Sequence, residues 1–189
     1  MGHDGERLAH TWVTLEVEMR WIKSLGGPLI LLPRDAVRRW TGAYGPGGEE
    51  DWDEDDTEYW RISEEVTDFA EAVDVAGASA LVLANGSSPT TFVEGERLFV
   101  QQLAKGSEPD VVGAVLRLLP SIAWQHATEW VCEGPSLLFD SARFGPEVGP
   151  GDGLAVDLTP GRYELRSAYR QPDATADVFV AVTMAVPLS

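Results

Sequence analysis

From Thr11 to Met19 the chain alternates, with Val13, Leu15, Val17 and Met19 on one side and Thr14, Glu16 and Glu18 between them. A period of two predicts a half-buried strand. Trp21 to Leu25 extends that strand or begins another, and Gly26-Gly27-Pro28 then breaks the chain. Leu29-Ile30-Leu31-Leu32 is apolar at every position, which predicts a short strand covered on both faces. Pro33 to Trp40 reads as one or two helical turns with Pro near the start. Phe69 to Val75 and Ala80 to Leu83 read as strands joined through Gly77. Thr90 to Val93 and Leu98 to Leu103 form a hairpin across Glu94-Gly95-Glu96. Pro109 to Leu119 is the best helix, because Val111, Val112, Val115, Leu118 and Leu119 keep a helical spacing after a start at Ser107 or Glu108. Trp130-Val131-Cys132, Ser136 to Phe139, Leu154 to Leu158, Tyr163 to Tyr169 and Val178 to Val186 are further strands. Gln171-Pro172-Asp173 marks a turn before the last of them. Short strands at hairpin spacing with one or two helices predict an α+β fold dominated by antiparallel sheet.

The order of parts recurs. Trp21 precedes Gly27-Pro28 and an apolar strand, and Trp130 precedes Gly134-Pro135 and Ser136-Leu137-Leu138-Phe139. Glu94-Gly95-Glu96-Arg97-Leu98 has an echo in Thr159-Pro160-Gly161-Arg162-Tyr163. Duplication would give two related β-rich lobes, in which Trp21 and Trp130 hold equivalent places. The general reuse of Gly-Pro turns in β proteins is the other explanation. The expected layout is a flexible terminus over 1–10, a first lobe over 11–106 and a second over 107–189 packed on it. Trp21, Gly26, Gly27, Pro28, Trp130, Gly134 and Pro135 are expected to form structural turns, in which Pro fixes φ and Gly27 is free to take a positive φ.

Charge changes the picture. The net charge is −17, and the ten residues Glu49-Glu50-Asp51-Trp52-Asp53-Glu54-Asp55-Asp56-Thr57-Glu58 hold eight acids and no base. With Tyr44-Gly45-Pro46-Gly47-Gly48 before it, this stretch reads as a loop spanning 45–58. Phosphate backbones and anionic lipid would be repelled, so neither nucleic acid nor membrane is an expected partner. A basic protein is the natural counterpart, although acidity can also serve solubility alone. Trp52 either tucks back to pin the loop or stands out as an anchor, a residue type enriched in binding hot spots. These acids and Trp52 are the candidate partner-binding residues.

Catalytic chemistry is thinly represented. His3, His10 and His126 are the only histidines. His126 and Glu129 could meet on a helical turn, but no further ligand stands beside them to complete a metal site. Cys132 lies in an apolar strand without a neighbouring cation, as a buried structural thiol would. A single cysteine fits a reducing compartment. The start, Met1-Gly2-His3-Asp4-Gly5-Glu6-Arg7, has neither the basic nor the apolar region of a secretory signal. Asp51, Asp53 and Asp55 imitate a calcium loop, yet Asp56 and Ile62 stand where that loop needs Gly and Glu. No nucleophile elbow, phosphate loop or dinucleotide fingerprint occurs. No cofactor and no enzymatic activity are expected.

Trp21-Ile22-Lys23-Ser24-Leu25-Gly26-Gly27-Pro28-Leu29-Ile30-Leu31-Leu32-Pro33, ending near Trp40-Thr41-Gly42, resembles the immunity protein 21 family of bacterial polymorphic-toxin systems. Ala80-Leu81-Val82-Leu83 through Pro89-Thr90-Thr91-Phe92 looks like the same family, and the likeness covers most of Met19 to Gly106. The acidic stretch before Tyr59-Trp60 departs from the family pattern by its length. What the resemblance implies is a cytoplasmic antidote that binds and blocks a cognate toxin domain and has no enzyme activity of its own; the chain's acidity adds the expectation that this toxin has a basic surface. The alternatives are an acidic interaction or scaffold protein of an unrelated pathway and, more distantly, a hydrolase of unrecognised type.

Overall fold

The computed structural model describes residues 19–45, 57–104, 111–149, 151–172 and 179–189. Of the strand read at Thr11 to Met19 only Met19 is described, exposed and in no strand; the rest of it and all but the end of the acidic stretch lie outside the described residues. The fold is α+β and β-rich, with ten strands in two antiparallel five-stranded sheets. The first sheet has the order β2(Ala70–Val75), β3(Ala78–Leu83), β1(Leu29–Pro33), β7(Ser136–Asp140), β8(Gly153–Val156). The second has the order β4(Thr90–Val93), β5(Leu98–Gln102), β10(Val180–Pro187), β9(Gly161–Arg170), β6(His126–Cys132). Two short helices complete it, α1(Glu58–Glu65) and α2(Val111–Leu118), with a 3-10 turn at Val37–Arg39.

Alternation along the strands builds four layers. Leu29, Leu31, Leu81, Leu83 and Leu138 of the first sheet pack on Phe99, Trp130, Tyr163 and Leu165 of the second, forming the core between the sheets. The opposite faces are also covered. Ile30, Leu32, Ala80 and Val82 lie beneath Trp40, Tyr59 and Ile62, so β1 is buried at all five positions. On the far side Leu98, Val100, Val180 and Val182 pack under Val111 and Val115 of α2. Apolar residues at every position of β1 follow from this double covering.

The two sequence halves interleave rather than separate. β1 pairs with β7, and β5 pairs with β10, so each sheet contains strands from before and after residue 106. Leu31 and Leu138, each the third residue after its Gly-Pro, stand directly opposite one another. A pseudo-twofold axis therefore passes between them. The second sheet is consistent with it. Its order reads outward from the central β5–β10 pair to β4 on one side and β9 on the other. Beyond these lie the Ile22 bridge to Thr90 and β6.

This symmetry corrects two expectations. The counterpart of β5 is β10, so the echo between Glu94–Leu98 and Thr159–Tyr163 matches strands in different places. Trp21 and Trp130 are not equivalent either. Trp130 is buried between the sheets, with its indole N–H donating to Ser79 O at 3.4 Å, whereas half-buried Trp21 packs with the α2 cluster on the outer face. Ile22, one residue on, faces the inter-sheet core as Trp130 does.

Two further local points go beyond the sequence reading or change it. Glu58–Glu65, where no element was expected, is helical, with Tyr59 and Ile62 as its buried positions. His126 and Glu129 lie on β6 instead of a helix, and three residues apart on a strand they point to opposite faces. His126 Nε2 meets Glu71 at 2.8 Å, and Glu129 meets Arg162 at 2.6 Å.

Candidate partner-binding surface

The Gly26-Gly27-Pro28 turn is held by a dense set of polar contacts. Ser24, itself buried, donates its amide to Gly86 O at 2.7 Å and its hydroxyl to Gly27 O at 2.5 Å. The Gly26 N–H donates back to Ser24 Oγ at 3.1 Å. The Leu25 N–H donates to the buried carboxylate of Asp140 at 3.1 Å, and the Ser141 hydroxyl donates to Pro28 O at 2.7 Å. Two of these bonds close the turn on itself, and the other three tie it to Asp140 and Ser141 at the end of β7 and to Gly86 after β3.

Gly27 does not use its freedom to take a positive φ, and its counterpart Gly134 does, at +127°. The reason for glycine differs between the two turns. A Cβ on Gly27 would stand 2.5 Å from Tyr59 Oη and 3.0 Å from its Cε2. Gly27 is therefore the seat of the Tyr59 ring, and α1 is locked onto the turn through it. Burial raises the Tyr59 phenol above its ordinary range, the Ser63 hydrogen bond opposing the shift, so the group stays neutral.

This packing creates a surface. The Gly26-Gly27-Pro28 turn, Tyr59, Trp60, Ser63 and the Asn85-Gly86 turn line a cavity of about 390 Å³. Leu25 projects from the tip of the turn with 96% of its surface exposed, although its own N–H is fixed on Asp140. Tyr44 is also exposed, and it is close enough to Tyr59 to add to the rise in the phenol's pKa. Trp60, half-buried, stacks edge-on against Tyr59 at 5.0 Å. Tyr44-Gly45 and Thr57-Glu58 flank the acidic stretch.

Of the candidate acids, Glu49, Glu50, Asp51, Asp53, Glu54, Asp55 and Asp56 lie outside the described residues, as does Trp52. Glu58 is described, and its carboxylate accepts the Ala76 N–H at 3.0 and 3.2 Å. Arg39 donates to Ala76 O at 2.7 Å, so the left-handed Ala76-Gly77 turn is clamped from both sides. Gly134 and Pro135 turn β6 into β7, and Pro135 O accepts the Arg34 N–H at 3.1 Å. The sequence reading missed Leu25 and Tyr44. One signal was present in the first: a leucine at a Gly-Gly-Pro turn, where no buried face is available.

Cys132 is buried, and burial raises its thiol pKa, which keeps it protonated and unreactive. No helix among the described residues is long and apolar enough to cross a membrane. No curated protein and no solved structure matches the chain. The family model for immunity protein 21 matches residues 20–176, from just before the Ile22 bridge to the segment that precedes β10. This chain belongs to the immunity protein 21 family.

Proposed function

We propose that the protein binds a cognate polymorphic toxin in the cytoplasm of the producing bacterium and blocks it, without catalysing a reaction. The observation that carries the contact surface is Leu25, a fully projecting aliphatic side chain on a turn fixed by five polar contacts. An apolar anchor that is already ordered loses little entropy on binding. Tyr44 and Trp60 extend the patch, and Tyr is among the residue types that dominate hot spots. The acidic stretch Glu49–Glu58 supplies the electrostatic half, steering a basic toxin surface, with Trp52 as a second anchor. Steering of this kind raises association from about 10⁵–10⁶ toward 10⁸–10⁹ M⁻¹s⁻¹ at low salt.

The toxin is first captured from the native bacterium by pull-down and identified by mass spectrometry. Stopped-flow mixing at two salt concentrations then separates the roles. Asp53, Asp55 and Asp56 changed together to Asn slow association and flatten its salt dependence. Leu25→Ala and Trp52→Ala speed dissociation, each by about tenfold, with association little changed. If deletion of the acidic stretch together with Leu25→Ala leaves both rates and cellular protection intact, the interface lies elsewhere on the sheets.

A further inference from the structure

The pseudo-twofold axis exposes an inequality between the two halves of the first sheet. On one side Ile30 pairs with Val82, and both are fully buried in one cluster with Tyr59 and Ile62 of α1. The axis carries Ile30 onto Leu137, whose cross-strand partner is Ala155. Here no α-helix lies over the sheet among the described residues, and only the 3-10 turns at Val37–Arg39 and Gly145–Glu147 border it. Leu137 is half-buried, Ala155 is exposed, and together with Gly153 they floor a cavity of about 470 Å³.

The walls of this cavity carry charge of the sign opposite to the whole molecule. Arg20, Arg34 and Arg38 all line it, in a chain with net charge −17. Arg34 reaches Asp157 at 3.4 Å, but both side chains are more than half exposed, so that pair is weak. Arg20 donates to Gly151 O at the cavity edge. Asp152, nearby, is already paired to Arg143 at 2.7 Å. Arg38 has no side-chain partner among the described residues. An apolar floor with an arginine rim suits a carboxylate carried on an apolar body. The helix that fills the matching place, α1, has that composition: Glu58, Glu64 and Glu65 surround Tyr59 and Ile62.

We propose that this cavity is a second docking site, which takes one acidic segment of a protein partner. An apolar side chain of that segment sits on Leu137 and Ala155, and its carboxylates sit on Arg34 and Arg38. Among the described residues this site's lining shares nothing with the cavity beside the Leu25 turn, and its charge is opposite in sign to that of the acidic sequence stretch.

The probe is a fluorescein-labelled synthetic peptide with the sequence of residues 57–68, followed by fluorescence anisotropy on the intact protein. Saturable binding is expected, weakening about tenfold in the double variant Arg34→Glu, Arg38→Glu and weakening as salt is raised. A control variant on the opposite face, Arg117→Glu, binds as the parent does, and circular dichroism confirms that each variant is folded. A peptide with its acids replaced by lysine does not bind. Equal binding of the reversed peptide, or unchanged binding by the double variant, overturns the proposal. So does absence of saturation up to about 1 mM. If the peptide binds only after residues 1–18 are removed, the cavity belongs to the chain's own N-terminal segment. If sedimentation shows self-association that the double variant abolishes, it belongs to a second copy, and in either case the partner proposal fails.

Discussion

Gly27 shows how a residue that looks like a backbone device serves as a packing device. Its φ is ordinary, and what it supplies is the absence of a Cβ beneath Tyr59. Because Tyr59 is buried, its ring has little room to retreat. Gly27→Ala is therefore expected to destabilise the protein by about 1–3 kcal/mol, the usual cost of overpacking. Tyr59→Phe removes the nearest atom, the hydroxyl 2.5 Å from the added Cβ. In that background the alanine should cost clearly less. Urea denaturation of the two single variants and the double one measures the coupling. Strict additivity would mean that Gly27 is required for another reason. The sequence announced a turn at this position without revealing which kind, since the partner that decides it lies more than thirty residues away.

Elements were legible where periodicity was strong. β1 declared its double burial by four consecutive apolar residues, and β2–β3 and β4–β5 declared themselves by strands flanking Gly77 and Gly95. α2 was legible from its valine spacing. α1 was not, for a physical reason. It has only Tyr59 and Ile62 to bury, and the acids before it masked so short an amphipathic signal. Its position is fixed by tertiary contacts instead: the Tyr59 seat on Gly27 and the Glu58 carboxylate on Ala76. Glu58→Ala is accordingly expected to cost about 1–3 kcal/mol by leaving a partly buried N–H without its acceptor. The readouts are the melting temperature and amide exchange at Ala76. Equal exchange in both proteins would show that Glu58 does not hold the turn. The candidate site was half legible, because composition reveals charge but not which apolar side chains the fold leaves outside. Leu25 and the three-arginine cavity needed coordinates.

At the scale of the molecule, the halves on either side of residue 106 each divide their five strands between the two sheets, so neither half completes a sheet alone. β1 has its Leu31 opposite Leu138, and β5 has its Leu98 opposite Met184. A chain divided after Gly106 is thus expected to give two fragments that lack cooperative thermal unfolding alone and regain it when mixed. Calorimetry on each fragment and on the mixture tests this directly. Two independently melting fragments would mean that the core between the sheets is not shared.

The pairing of β5 with β10 also governs time. Loop-closure entropy must be met before such a distant pair returns any contact energy, and topologies rich in remote pairs fold slowly. During synthesis β4 and β5 can form their hairpin early, but the inner edge of β5 stays open until Val180 to Pro187 has been made. An open, apolar strand edge invites association with other chains. For as long as that lasts, the newborn chain carries an unpaired apolar edge, and its exposure to misassociation ends only when β10 docks.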